Sequence, residues 1–146
     1  MATSVTASLS GPQGPARVLA LEGDRPADLL AAVRHGLPFT ALEAIASQLD
    51  LPSADIGVLL GIPQRTFARR RKTLLLSPQE SDRLYRLART VSMAAEVLGS
   101  QTKARQWLCS PNRALAGEEP LQLLDTDIGA DSVLDTLGRI EHGVFA

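Results

Sequence analysis

Residues 53–72, SADIGVLLGIPQRTFARRRK, carry the pattern that decides how this chain folds. A short helix predicted from Ser53 carries Ile56, Leu59 and Leu60 and meets Gly61, after which Ile62-Pro63 opens a second helix running to about Lys72. Glycine permits the sharp backbone turn between them. Ile56, Leu60, Ile62 and Phe67 are the apolar residues that pack the two helices together at a steep angle, and Gly57 is small enough to let them approach. The pattern is a helix-turn-helix.

Downstream, Ser77, Pro78 and Glu80 spell a capping box with proline at the first helical position. From there Leu84, Leu87, Ala88, Val91, Ala94, Ala95 and Leu98 keep one apolar face until Gly99. This long helix is the expected spine of the fold. A shorter helix, capped by Ser100 or Thr102, runs through Cys109 and buries Ala104, Trp107 and Leu108 before Ser110-Pro111-Asn112 ends it. A helical turn at Leu121–Leu124 and a final helix from about Ala130 to His142, with Val133, Leu134, Leu137 and Ile140 on one side, complete the pattern. Upstream, Asp24 ahead of Pro26 predicts a capped helix to about Arg34, stopped at Gly36-Leu37-Pro38. A further helix spans about Phe39 to Gln48.

The expected fold is therefore all-α, with an amino-terminal helix-turn-helix domain packed against a carboxyl-terminal helical domain. Residues 1–16 read as a disordered tail, 17–76 as the helix-turn-helix region and 77–146 as the second domain. The 146 residues, 45% hydrophobic and 3% aromatic, bury a core rich in Leu and Ala, the residues that lose least on entering a helix. No apolar run approaches the roughly 18–20 residues needed to span a bilayer, which argues against a membrane partner. The start, MATSVTASLSGPQGPA, has neither the basic residues nor the apolar stretch of a signal peptide. With a single cysteine, Cys109, the expected compartment is the cytoplasm.

The net charge of −1 hides a division. Residues 63–89 carry eight basic side chains against two acidic ones, whereas residues 117–146 carry seven acids against Arg139. Two surfaces of opposite sign imply two partners. On the second helix of the motif, Gln64 and Arg65 have the chemistry to read adenine and guanine in a major groove. Thr66 and Arg69 suit phosphates, and Arg71 and Lys72 continue the basic run. The competing reading is a tight corner in a structural bundle. Arg70 stands where such a helix usually turns an apolar residue to the core, so either the corner packs differently or Arg70 pairs with a carboxylate. Arg83, Arg86 and Arg89 could extend a phosphate-tracking stripe, but the preferred reading is a solvated face.

Catalysis finds no support. Cys109 lies beside Trp107 and Leu108 without a general base and reads as core. Asp125, Asp127 and Asp131 lack the glycine and distal glutamate of a calcium loop, and capping by Asp127 or Asp131 explains them better. No phosphate-binding glycine loop, zinc spacing or nucleophile signature is present, so neither enzyme nor cofactor nor metal is expected.

The segments RTFARRRK (65–72), LSPQESDRLYRLART (76–90), A-x-x-VLG (94–99), A-x-x-WL-x-x-PN-x-AL-x-G-x-x-P (104–120) and LLDTDIGADSVLDTLGRIEHGVFA (123–146) occur in one order. In that combination the chain resembles the Xre/MbcA/ParS antitoxins of type II toxin–antitoxin systems. The resemblance implies operator binding by the helix-turn-helix and a toxin-binding domain that blocks the active site of a RES-domain, NAD-degrading toxin. It places toxin contact on Arg139, Ile140, Glu141, Val144 and Phe145, with Asn112, Asp125 and Thr126 supporting the loop geometry. A homodimer within a hetero-oligomeric complex is expected, since such readers commonly match two half-sites. The alternative is a stand-alone regulator whose carboxyl-terminal domain only dimerises.

Overall fold

The structure, a computed structural model, describes residues 14–143. Most of the expected tail, and Val144 and Phe145, lie outside the described residues. The helices are α1 (Pro15–Val18), α2 (Pro26–His35), α3 (Phe39–Leu49), α4 (Ser53–Leu59), α5 (Gln64–Thr73), α6 (Pro78–Leu98), α7 (Gln101–Leu108) and α8 (Asp127–Glu141). Two 3-10 turns, Arg113–Leu115 and Pro120–Asp125, join α7 to α8. No strand longer than an isolated bridge occurs among the described residues, and the fold is all-α as expected.

The capping box forms as its sequence requires. The Ser77 hydroxyl accepts from the Glu80 N–H at 3.1 Å, and the Glu80 carboxylate accepts from the Ser77 N–H at 2.8 Å. The helix so started, α6, packs against α1, α2, α7 and α8. Its apolar stripe Leu84, Leu87, Ala88, Val91, Ala94 and Ala95 is buried, the alanines letting neighbouring helices lie close. On the amino-terminal side the core continues through Leu37, Phe39, Leu42, Ile45, Ile56 and Leu76, and on the other through Leu108, Val133 and Leu137. One continuous core serves both halves.

Between α4 and α5 the chain turns at Gly61, which has φ 71°, in the left-handed region that glycine tolerates. Gly57 faces the Phe67 ring so closely that an added Cβ would stand 2.6 Å from it. Ile56, Leu60, Ile62 and Phe67 are all buried, so the predicted corner packs with the predicted residues. Phe39 meets Phe67 edge-on at 5.4 Å between ring centroids, which seats α5 on α3.

Several local expectations shift. Helix α1 begins at Pro15, inside the stretch read as tail, and buries Ala16, because Ala16, Val18 and Leu19 have a core to enter. Asp24 does not cap α2: Arg25 occupies the N-cap position and its guanidinium pairs with Asp28 at 3.0 Å. The final helix starts at Asp127 rather than Ala130, and its cap is Thr126, not Asp127 or Asp131, with the threonine hydroxyl accepting from the Gly129 N–H at 3.0 Å. Trp107 is only half-buried.

Candidate functional site

The exposed face of α5 is built by subtraction. Phe67 turns inward, leaving Gln64, Arg65, Ala68, Arg69 and Lys72 exposed and Thr66 half-buried. Arg70 resolves the open alternative in favour of a carboxylate. Its Nε donates to Glu80 Oε1 at 2.8 Å and a terminal nitrogen donates to Oε2 at 3.2 Å, a two-point ion pair with side chains only 22% and 10% exposed. The acceptor is the capping-box glutamate, so one side chain starts α6 and anchors α5 to it. Glu80 is the main source of the raised Arg70 pKa, ahead of the opposing effect of burial. For Glu80, burial pushes the carboxyl up, but the hydrogen bonds from Arg70 and Ser77 and the Arg70 charge outweigh it and hold the group below the ordinary carboxylate range.

Arg71, expected on the DNA face, lies over two rings, 5.2 Å from the Phe67 centroid and 5.7 Å from that of Phe39. It nevertheless remains exposed. The basic positions on α6 are less idle than a solvated face. Arg83 donates to the Leu60 carbonyl at 3.0 Å, where α4 ends and the turn begins, and Arg86 pairs with Asp127 at the start of α8. What the basic segment presents outward with no ion pair, ring contact or side-chain hydrogen bond among the described residues is Arg65, Arg69, Lys72 and Arg89. Such a face can follow phosphates and reach base edges.

The second candidate surface gathers around α8. Asn112 accepts from the Ala114 N–H at 2.9 Å through its side chain, and its backbone N–H donates to the Glu118 carbonyl at 3.0 Å, which closes the loop around the first 3-10 turn. Thr126 starts α8, and Asp125, exposed, ends the second 3-10 turn. Arg139 and Glu141 are exposed and Ile140 is half-buried in the last turns of α8. The structure thus brings Asn112, Asp125 and Thr126 into the frame that carries the helix and leaves Arg139 and Glu141 on its outside.

Arg139 also joins a groove of about 370 Å³ between the first 3-10 turn and α8, lined by Leu115, Leu123, Ser132, Asp135 and Thr136 among others. Sequence reading missed this groove. The spacing of Ser132, Asp135, Thr136 and Arg139 places them along one stripe of α8, but the other wall comes from the turns and leaves no signal in the sequence. Cys109 is half-buried, and burial, then the Glu119 charge, push its thiol pKa up against a smaller opposing effect of Arg105. That is the reverse of an activated nucleophile. No group of three potential metal ligands occurs among the described residues, and no described helix is long and apolar enough to cross a membrane.

A helix-turn-helix with an open basic face, joined through a shared core to an acidic helical domain with an exposed last helix, defines a DNA-binding-type protein with a second, protein-binding module. The family model of the antitoxin Xre-like helix-turn-helix domain matches residues 28–89, and that of the antitoxin Xre/MbcA/ParS C-terminal toxin-binding domain matches residues 93–143. The chain is 33% identical over 132 residues to the antitoxin Xre of Yersinia enterocolitica, covering 89% of each chain. It is 35% identical over 120 residues to that of Photorhabdus laumondii, covering 81% of each. Against the antitoxin Xre of Pseudomonas putida it is 39% identical over 83 residues, 56% of this chain and 52% of that one. The chain belongs to the Xre antitoxin family. Its role is that of an antitoxin, not an enzyme.

Proposed function

We propose that this antitoxin neutralises a RES-domain, NAD-degrading toxin by occluding its active site with the carboxyl-terminal segment, and that it binds operator DNA as a homodimer to repress its own synthesis in the cytoplasm. The observation that carries the occlusion reading is the end of α8: Arg139 and Glu141 stand exposed where the chain leaves the core, in a segment, 117–146, with seven acids against one base. An acidic segment complements a pocket that binds the phosphates of a dinucleotide. Toxin contact falls on Arg139, Ile140, Glu141, Val144 and Phe145, with apolar anchors contributing affinity.

DNA contact falls on Gln64, Arg65, Thr66 and Arg69, with Arg71 and Lys72 adding phosphate contacts at the end of α5. The division of labour is 17–76 for DNA and 77–146 for the toxin, with α6 as the common floor. The deciding experiment is deletion of residues 138–146, tested by co-expression with the toxin. Loss of rescue with cellular NAD falling is the expected outcome. A truncated protein that still protects cells and still holds NAD constant sinks occlusion by this segment.

A further inference from the structure

Among the described helices α2 is alone in burying none of its residues. Ordering its ten residues costs about 1–2 kcal/mol each in backbone entropy, and the chain recovers little of that through a helix lying on the outside. One face, with Leu29, Ala32 and Val33 half-buried, leans towards α6. The opposite face carries Ala27, Leu30, Ala31 and Arg34 at i, i+3, i+4 and i+7, all exposed. Leu30 is 50% exposed and lines, together with Pro26, Leu29, Val33, Asp82 and Tyr85, a groove of about 260 Å³. Ala27, Leu30 and Ala31 thus form a second, short apolar stripe that no other described element buries.

The charges flanking the stripe state what fits it. Asp24 lies just before α2 and Arg34 in its last turn, both exposed, and neither makes an ion pair among the described residues. Leu30 sits near the midpoint between them. A second α2 laid antiparallel across a two-fold axis near Leu30 brings each Asp24 to the other copy's Arg34, sets each Leu30 into the other's groove, and opposes the two helix dipoles favourably. The small Ala27 and Ala31 leave room for that approach.

We infer that α2 is the homodimer surface of this antitoxin, with Leu30 as its apolar centre and reciprocal Asp24–Arg34 pairs as its rim. The inference rests on the homodimer reading above and names the surface that makes the dimer. Self-association of the full-length, toxin-free protein, measured by sedimentation equilibrium, tests it. The wild-type chain dimerises, and Leu30→Asp raises the dimer dissociation constant about 30-fold or more while the far-UV circular dichroism spectrum stays unchanged, because Leu30 is not part of the core. Asp24→Arg and Arg34→Asp each weaken the dimer about tenfold by facing like charges. Mixed one to one, these two variants form a heterodimer in which both pairs are again opposite in sign, and association returns to near the wild-type value.

A wild-type chain that stays monomeric overturns the homodimer reading and this surface with it. A wild-type dimer that Leu30→Asp and the two charge variants leave equally tight overturns the surface alone. Deletion of residues 1–13 leaves the dissociation constant unchanged; a dimer that tightens on deletion means that the amino-terminal stretch occupies the groove, and overturns the assignment.

Discussion

The two halves of this antitoxin use charge in opposite ways. In the helix-turn-helix half, basic side chains are partly consumed by the fold: Arg70 is tied to Glu80, Arg83 to the Leu60 carbonyl, and Arg71 lies over Phe39 and Phe67. In the carboxyl-terminal half, polar side chains such as Asn112 and Thr126 shape the loops, while Asp131, Asp135 and Glu141 remain exposed on α8. The comparison teaches that a charge run in sequence overstates the surface it presents. The α5 segment writes five basic residues, yet only Arg65, Arg69 and Lys72 stand clear of neighbouring side chains.

The largest expected effect separates the halves outright. Arg65→Ala combined with Arg69→Ala removes operator binding in a gel shift at fixed salt, through a loss of about 1–3 kcal/mol from the Arg65 base contact and a salt slope smaller by about 1 from the lost Arg69 phosphate contact. Rescue from the toxin is untouched. An unchanged shift breaks the assignment of α5 as reader.

Next comes the corner itself. Gly57→Val places new carbon against the Phe67 ring, where an added Cβ already stands at 2.6 Å, and costs about 1–3 kcal/mol of stability by overpacking. Operator affinity falls further than thermal stability, since α5 is pushed off its seat. A chemical denaturation curve matching wild type would show that the corner yields without strain.

The Arg70–Glu80 pair sharpens the comparison at about the same size or slightly less. Glu80→Gln keeps much of the shape but leaves Arg70 without its counter-ion, costing about 1–3 kcal/mol near neutral pH. Because the folded state holds Glu80 below its unfolded value of about 4.3, its contribution is complete above that pH and is lost as the pH falls through the lower, folded value. The wild-type protein therefore loses more stability than Glu80→Gln does between about pH 5 and the acid limit. Parallel acid-denaturation profiles for the two would remove the pair from the account.

The smallest effect lies in the other half. Thr126→Ala removes the cap of α8 and lowers stability by about 0.5–2 kcal/mol. It weakens toxin binding only as far as α8 frays, with operator binding unchanged.

Much of the fold was legible because its signals are local. The Ser77–Glu80 box, the turn at Gly61 and the apolar stripe of α6 each act within a few residues, and all three form. The errors arose where neighbouring residues compete for one role. Thr126, Asp127 and Asp131 all suit a cap, and the hydroxyl that wins begins the helix three residues earlier than expected. Asp24 suits a cap too, but Asp28 paired with Arg25 sets the start of α2 without it. For the candidate sites, the residue types on α5 and at the chain end were readable, while the groove beside Arg139 was not, since half of its lining comes from turns whose approach to α8 is a matter of packing.

The sequence by itself determined an all-helical chain, the order of its helices, the helix-turn-helix corner and the separation of positive and negative segments, because propensity, capping, periodicity and charge are properties of neighbouring residues. Only the tertiary structure decided which of those charges reach solvent. Whether Arg70 spoils the corner or fastens it depends on Glu80 lying 2.8 Å away across a helix boundary, and whether α2 is a core helix or an outer one depends on what α6 leaves uncovered. Both are distances between elements, which no spacing along the chain encodes.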